Sequence, residues 1–64
     1  MFLKHDIVLI FKGEDFDGNS LVNKRAKVIN PLTPTSKDAC IRVEGMNHDL
    51  FFPKEWMKLA ERRK

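Results

Sequence analysis

Residues 39–52 carry the pattern that most limits the folds open to this chain. Apolar and polar side chains alternate over residues 39–44, which is the period of a strand with one buried face. Residues 45–47, Gly-Met-Asn, favour a turn, and residues 48–52 then return the chain. The pattern predicts a β-hairpin whose returning strand points Leu50 and Phe52 into the core. Phe51 between them then either points outward or packs under the acidic loop or the C-terminal tail.

Two strands and two loops are predicted before the hairpin. Residues 7–11 are consecutive apolar residues, most of them β-branched or aromatic, which favours a strand covered on both faces. Residues 14–20 are acidic and turn-rich, and they predict an exposed loop whose Phe16 folds back onto the edge of the core. A second strand is predicted from about Lys24 to Asn30, followed by a proline-containing loop.

Chain length and cysteine content set the scale of the core. A chain of 64 residues makes one domain and buries only about 60% of the surface that it exposes when unfolded. Its single cysteine, Cys40, cannot form a disulfide within the chain, and two histidines do not complete a structural zinc site with it. Because the chain also lacks a signal-peptide pattern and any apolar run of about 20 residues, we expect a cytoplasmic protein that does not enter the membrane.

Two interpretations are open for the segment that follows Pro53, which cannot donate a hydrogen bond to a strand ladder. A C-terminal helix would suit Pro53 at its first position, Glu55 in its first turn and basic residues at its end. Alternatively, residues 53–56 form one 3₁₀ turn and residues 57–59 form a short final strand. Trp56 is expected in the core, and we favour the second interpretation because of a resemblance to a known architecture.

Residues 52–59, FPKEWMKL, resemble the closing segment of SH3 domains: a hydrophobic residue, proline, two polar residues, an aromatic residue and an alternating strand. The order of predicted strands and loops is also similar to that of SH3-like barrels, including the C-terminal domain of retroviral integrases and KOW-type modules. The resemblance implies a mostly β fold, with residues 1–64 as a single SH3-like small barrel of about five short antiparallel strands. It also implies a 3₁₀ turn or short helix near the C-terminus. Residues 61–64 are predicted to form a basic tail of the domain. The resemblance implies an architecture and not a function.

Basic residues cluster on the second strand, on the hairpin and near the C-terminus. The formal net charge is +3, which suits an acidic partner. In a small barrel these segments adjoin, so that cations on one face bind phosphates and a nearby aromatic side chain stacks on bases. We therefore expect a small non-enzymatic module that binds nucleic acid, DNA or RNA, mainly through its phosphates. The predicted contact residues are Lys24, Arg25, Lys27, Arg42, Lys54, Lys58, Arg62, Arg63 and Lys64.

The alternative is a protein-interaction module. An exposed Phe51 beside Met46 and Trp56 would form an apolar patch for a protein partner. Such a module would regulate or inhibit a larger enzyme or assembly, as a bacterial or phage accessory protein does. A homodimer through an open strand edge is a third prediction, because so small a domain gains stability by association.

Neither a metal site nor a catalytic site is predicted. The acidic loop begins like a calcium-binding loop at Asp15, but the twelfth position of the EF-hand pattern, which requires glutamate, falls on Ala26. His5 and His48 have no metal-ligand spacing with Cys40. We expect no cofactor.

Overall fold

A computed structural model of the chain describes residues 2–15 and 17–62. The described residues form strands β1 (Ile7–Ile10), β2 (Arg25–Asn30), β3 (Asp38–Val43) and β4 (Leu50–Pro53), a 3₁₀ turn (Lys54–Trp56) and strand β5 (Met57–Glu61). All neighbouring strands are antiparallel, and they form one sheet in the order β4-β3-β2-β1-β5. The mostly β fold is therefore confirmed, and the sheet is compatible with a small barrel-like fold.

The C-terminal segment follows the second of its two interpretations. The 3₁₀ turn leads directly into β5, because Met57 has the extended backbone of a strand and β5 pairs with β1. The alternative of a C-terminal helix is wrong, and β5 continues to Glu61. Within residues 2–15 and 17–62, no helix has the length and apolar character that crossing a membrane requires. Phe16, which was expected to fold onto the core edge, lies outside the described residues.

The core follows the alternation of each strand. On β2, Ala26 and Val28 are buried between exposed neighbours, and the hairpin of β3 and β4 shows the same period. The predicted orientation of the hairpin is confirmed, since Leu50 and Phe52 are buried and Phe51 is exposed. The buried apolar residues are Val8, Ile10, Leu21, Ala26, Val28, Ala39, Ile41, Val43, Leu50, Phe52 and Met57.

Two irregularities interrupt the sheet where it must curve around this core. The register between β1 and β5 shifts between Ile7 and Val8, and the register between β2 and β3 shifts between Val28 and Asn30. A bulge of this kind bends its strand and increases the local twist. A short sheet can thereby cover one core with a single layer of strands.

Trp56 lies at the edge of the core and is only partly buried, although the sequence predicted it inside. Its ring meets Phe52 edge to face, with centroids 5.6 Å apart and planes at 77°. Gly13 lies directly beneath both rings: a Cβ atom at this residue would stand 2.6 Å from Phe52 Cζ and 2.8 Å from Trp56 Cε3. Glycine is thus required for the approach of the loop after β1 to the two aromatic rings.

The start of β1 is tied to the end of β5 by a buried carboxylate. Asp6 accepts hydrogen bonds from the backbone N–H of Leu3 at 2.8 Å and from Arg62 Nε at 3.1 Å. Of the basic tail predicted over residues 61–64, Glu61 belongs to β5 and Arg62 is bound to Asp6. Residues 63 and 64 lie outside the described part of the chain.

Candidate functional site

The candidate site is the outer face of the sheet, opposite the core. Arg25 and Lys27 alternate with buried residues on β2, so their side chains point outward. Lys27 is directly opposite Arg42 of β3 in the antiparallel register. Three of the predicted basic residues are therefore next to one another on two neighbouring strands.

Strands β1 and β5 extend this face. Ile7 of β1 is opposite Lys27, and Leu9 is opposite Arg25 on one side and Lys58 on the other. Ile7 and Leu9 are half-buried, so the outer face of β1 is partly covered by the long side chains beside it, as predicted for a strand covered on both faces. We call the surface formed by Arg25, Lys27, Arg42 and Lys58 the basic face.

A shallow groove of about 450 Å³ crosses the basic face. Its cations are Arg25, Lys27 and Arg42, and its floor includes Ile7 and Met46. Two carboxylates also line it, those of Glu44 and Glu61. The groove therefore carries a small excess of positive charge over an apolar floor.

Two of the cations on the basic face have a carboxylate partner. Arg42 Nε donates to Asp49 Oδ1 at 2.7 Å, across the hairpin. Arg25 Nη1 lies 3.6 Å from Glu61 Oε2. Lys27 has no carboxylate within salt-bridge distance among residues 2–15 and 17–62. Exposed pairs of this kind stabilise a protein by only about 0–1 kcal/mol, so an incoming anion can displace either carboxylate.

The other predicted basic residues lie elsewhere or outside the described chain. Lys24 is exposed in the turn before β2, and Lys54 Nζ donates to the carbonyl oxygen of Thr33 at 3.0 Å, on the loop between β2 and β3. Arg62 holds Asp6. Four of the nine predicted cations thus lie on one surface, while residues 63 and 64 lie outside the described residues.

The three residues of the alternative patch line two different depressions. Met46 packs against the core and lines the groove of the basic face. Phe51 and Trp56 line a separate depression of about 160 Å³ beside the acidic loop. Phe51 is 66% exposed and directly opposite Cys40.

A second groove, of about 600 Å³, was missed by the sequence reasoning. It is lined by Phe11, Val22 and Trp56, and Lys12 Nζ stands 5.5 Å from the centroid of the Trp56 ring. Phe11 was predicted within the first strand, but β1 ends at Ile10 and Phe11 is left exposed. The signal that could have revealed it is Gly13, since a glycine near a strand end often permits close approach to an aromatic ring.

The acidic loop is held together by its own hydrogen bonds. Asp15 Oδ1 accepts from the backbone N–H groups of Asp17 and Asn19, both at 2.9 Å. The bond from Asn19 and the other donors lower the pKa of Asp15 below its ordinary value. The carboxylate of Asp15 therefore caps a turn. Within the described ranges no group of three His, Cys, Asp or Glu side chains is placed to hold a metal ion.

Known proteins add no relative to this description. No protein-family model, curated protein sequence or solved structure matches the chain.

Proposed function

We propose that this chain is a small non-enzymatic module that binds nucleic acid through the basic face, and that its sheet is an SH3-like barrel. The strand order and the turn before β5 support the barrel. The four neighbouring cations support the binding surface. Phosphate groups are the part of the ligand that such a surface recognises.

The observation that carries the proposal is the position of Lys27 directly opposite Arg42. Like charges at directly opposed positions of an antiparallel pair destabilise the sheet. An anion bound between the two side chains would relieve that repulsion, and the Arg42 guanidinium can present two donors to one phosphate. Asp49 offsets part of that repulsion through its hydrogen bond from Arg42, and a bound phosphate would add a partner for Lys27.

Binding of this kind is sensitive to salt and insensitive to sequence. Contacts to phosphates position a protein on nucleic acid without reading bases. If three or four phosphates of a duplex are neutralised, affinity falls about 40- to 150-fold when salt rises from 50 to 200 mM. The module would therefore depend on other proteins for any sequence specificity.

The test is an amide chemical-shift titration with a short mixed-sequence DNA duplex at two salt concentrations. We expect salt-sensitive shifts on residues 25–27, 42 and 58. Lys27→Glu should abolish most of the binding, while Lys37→Glu makes the same charge change on the loop between β2 and β3 and should weaken it far less. A flat wild-type titration with both duplex and single-stranded DNA at low salt would refute the proposal.

A second candidate function rests on the groove of Phe11, Val22 and Trp56. Phe11 is 47% exposed and Val22 is also exposed, and apolar side chains gathered around one groove are typical of a surface for a protein partner. In this second proposal the protein-interaction site keeps Trp56 but lies at the loop after β1 instead of at Met46 and Phe51. Pulldown with Phe11→Ser and wild-type chains, followed by identification of the partner, tests it.

The predicted homodimer concerns the two outer strands of the sheet, β4 and β5. Strand β4 contains Pro53, which lacks a backbone N–H donor, whereas β5 contains no proline. A homodimer would therefore form through β5. Sedimentation equilibrium across a range of protein concentrations tests it, with Leu59→Pro on β5 as the variant expected to prevent association.

A further inference from the structure

Phe51 shares the outer surface of the sheet with the basic face. It is directly opposite Cys40 on β3, and Arg42 is two residues further along the same strand on the same side. Diagonal neighbours of this kind are about 7–8 Å apart, within reach of aromatic and long side chains. Buried Leu50 and Phe52 on either side fix the direction in which the Phe51 ring points.

We infer that the basic face binds single-stranded nucleic acid in preference to duplex, with Phe51 as the surface on which a base stacks; this inference rests on the proposed function. A phosphate held at Arg42 leaves a neighbouring base within reach of the ring. Phe51 is 66% exposed, so its ring has room for a base without any rearrangement of the core. Stacking on an aromatic side chain is tolerant of sequence because every base has a π-face.

The shape of the face disfavours a duplex. Its cations are spread over β5, β1, β2 and β3, which are three strand spacings, or about 14 Å, across before side chains are added. The major groove of B-DNA is about 12 Å wide and admits a helix or a two-stranded ribbon. The sheet therefore meets a duplex only at its phosphates, where Phe51 has no base face to contact unless a base is flipped out.

Two residues of β3 lie next to Phe51, and one of them, Cys40, can report chemically on the contact. Arg42 is the cation nearest to Phe51 in the register, and Cys40 is the residue directly opposite it. Cys40 is half-buried, and its burial raises the pKa of the thiol, so it is uncharged at neutral pH. A strand that stacks on Phe51 would cover this thiol.

The experiment measures the affinity for three labelled probes at low salt by fluorescence anisotropy. The probes are an oligothymidylate of about eight nucleotides, an abasic oligonucleotide with the same number of phosphates, and a short duplex. We expect the oligothymidylate to bind most tightly. Phe51→Ser should weaken its binding by roughly 5- to 150-fold and leave the abasic and duplex affinities unchanged. Phe11→Ser, which removes an exposed Phe from the other groove, is the matched control and should change none of the three.

A second variant and a second measurement distinguish the loss of stacking from misfolding of the protein. Phe51→Leu keeps an apolar side chain but removes the ring, and it should lose most of the same affinity. Oligothymidylate should also slow alkylation of Cys40 by a neutral reagent in the wild type, whereas the abasic probe should not.

Each outcome decides between the two proposals. Equal binding of the oligothymidylate and the abasic probe, or a Phe51→Ser variant with wild-type affinity, overturns the stacking inference and leaves phosphate binding in place. Absence of binding by all three probes overturns both.

Discussion

The carboxylate of Asp6 lies beneath the guanidinium of Arg62, 56 residues later in the chain, with Arg62 Nη2 3.0 Å from Asp6 Oδ2. Arg62 Nε also donates to both carboxylate oxygens, at 3.1 and 3.3 Å. Asp6 is 1% exposed, and a buried carboxylate is tolerated only when it is paired and hydrogen-bonded. The pair therefore fastens the residue after β5 to the residue before β1.

Replacing Arg62 should destabilise the fold. Among the described residues, Arg62→Ala leaves the side chain of buried Asp6 with only its hydrogen bond from Leu3, and an unsatisfied buried charge costs about 1–3 kcal/mol or more. Arg62→Lys should recover part of this loss, because an ammonium keeps the charge without the two-pronged geometry. The free energy of unfolding in urea measures both. If Arg62→Ala unfolded at the wild-type urea concentration, the pair would have no role in stability.

The same pair predicts a loss of stability in acid. The hydrogen bonds from Arg62 hold the pKa of Asp6 below its ordinary value of 3.8, whereas in the unfolded chain the pKa returns to that value. The stabilisation is therefore complete above the unfolded pKa and is lost as pH falls through the folded pKa. Urea unfolding at pH 7, 5, 3 and 2 should show a smaller acid loss for Asp6→Asn than for the wild type. Asp15→Asn, measured alongside, separates the contribution of the acidic loop.

Strands β1 to β4 could be predicted because each has its own local pattern, whereas β5 was favoured over a C-terminal helix because of a resemblance. Alternation placed β2 and the hairpin correctly, and Pro53 marked the end of β4. The Asp6–Arg62 pair could not be predicted, since nothing near Asp6 in the sequence distinguishes it from a surface aspartate. A contact between residues this far apart depends on the way β1 and β5 pair, and that pairing includes a register shift.

The site was predicted in part for a similar reason. Alternation alone places Arg25 and Lys27 on one side of β2, and the hairpin pattern places Arg42 on the outside of β3. Their partners Glu61 and Asp49 depend on register between strands, which a residue's own neighbours do not reveal. Trp56 was expected in the core because it is large and apolar, but the small sheet leaves part of its ring uncovered.

Gly13 should tolerate substitution much less than Gly45. An alanine in place of Gly13 would have to adopt a φ of +115°, and its Cβ atom would clash with the rings of Phe52 and Trp56. Backbone strain and overpacking should therefore each destabilise the fold by about 1–3 kcal/mol. Gly45 has a similar positive φ of +84° but no atom within 4 Å of an added Cβ, so Gly45→Ala should show the strain alone. Thermal unfolding of the two variants measures the difference, and equal destabilisation would mean that the contact with Phe52 and Trp56 adds nothing.

Trp56→Ala should destabilise the domain by about 3 kcal/mol, the lower end of the range for large aromatic residues, because the ring is only partly buried. It removes the edge-to-face contact with Phe52 and the ring beneath Lys12. A domain of this size has a stability of only about 3–5 kcal/mol, so much of the variant should be unfolded at room temperature. Far-ultraviolet circular dichroism and a urea titration measure this, and a cooperative transition at the wild-type midpoint would show that Trp56 does not close the core.

Removing a carboxylate from the basic face should strengthen nucleic-acid binding. Asp49→Asn releases Arg42 from its 2.7 Å hydrogen bond, and the loss of an exposed pair worth about 0.2–1 kcal/mol corresponds to an affinity gain of about 1.5- to 5-fold. The slope of log affinity against log salt should stay unchanged, because Arg42 neutralises a phosphate in both the wild type and the variant. Asp38→Asn removes the same charge from an exposed position at the start of β3 with no ion pair among the described residues, and should give a smaller gain with an unchanged slope. If both variants gained affinity equally, net charge alone would explain the effect and Arg42 would have no particular role in binding.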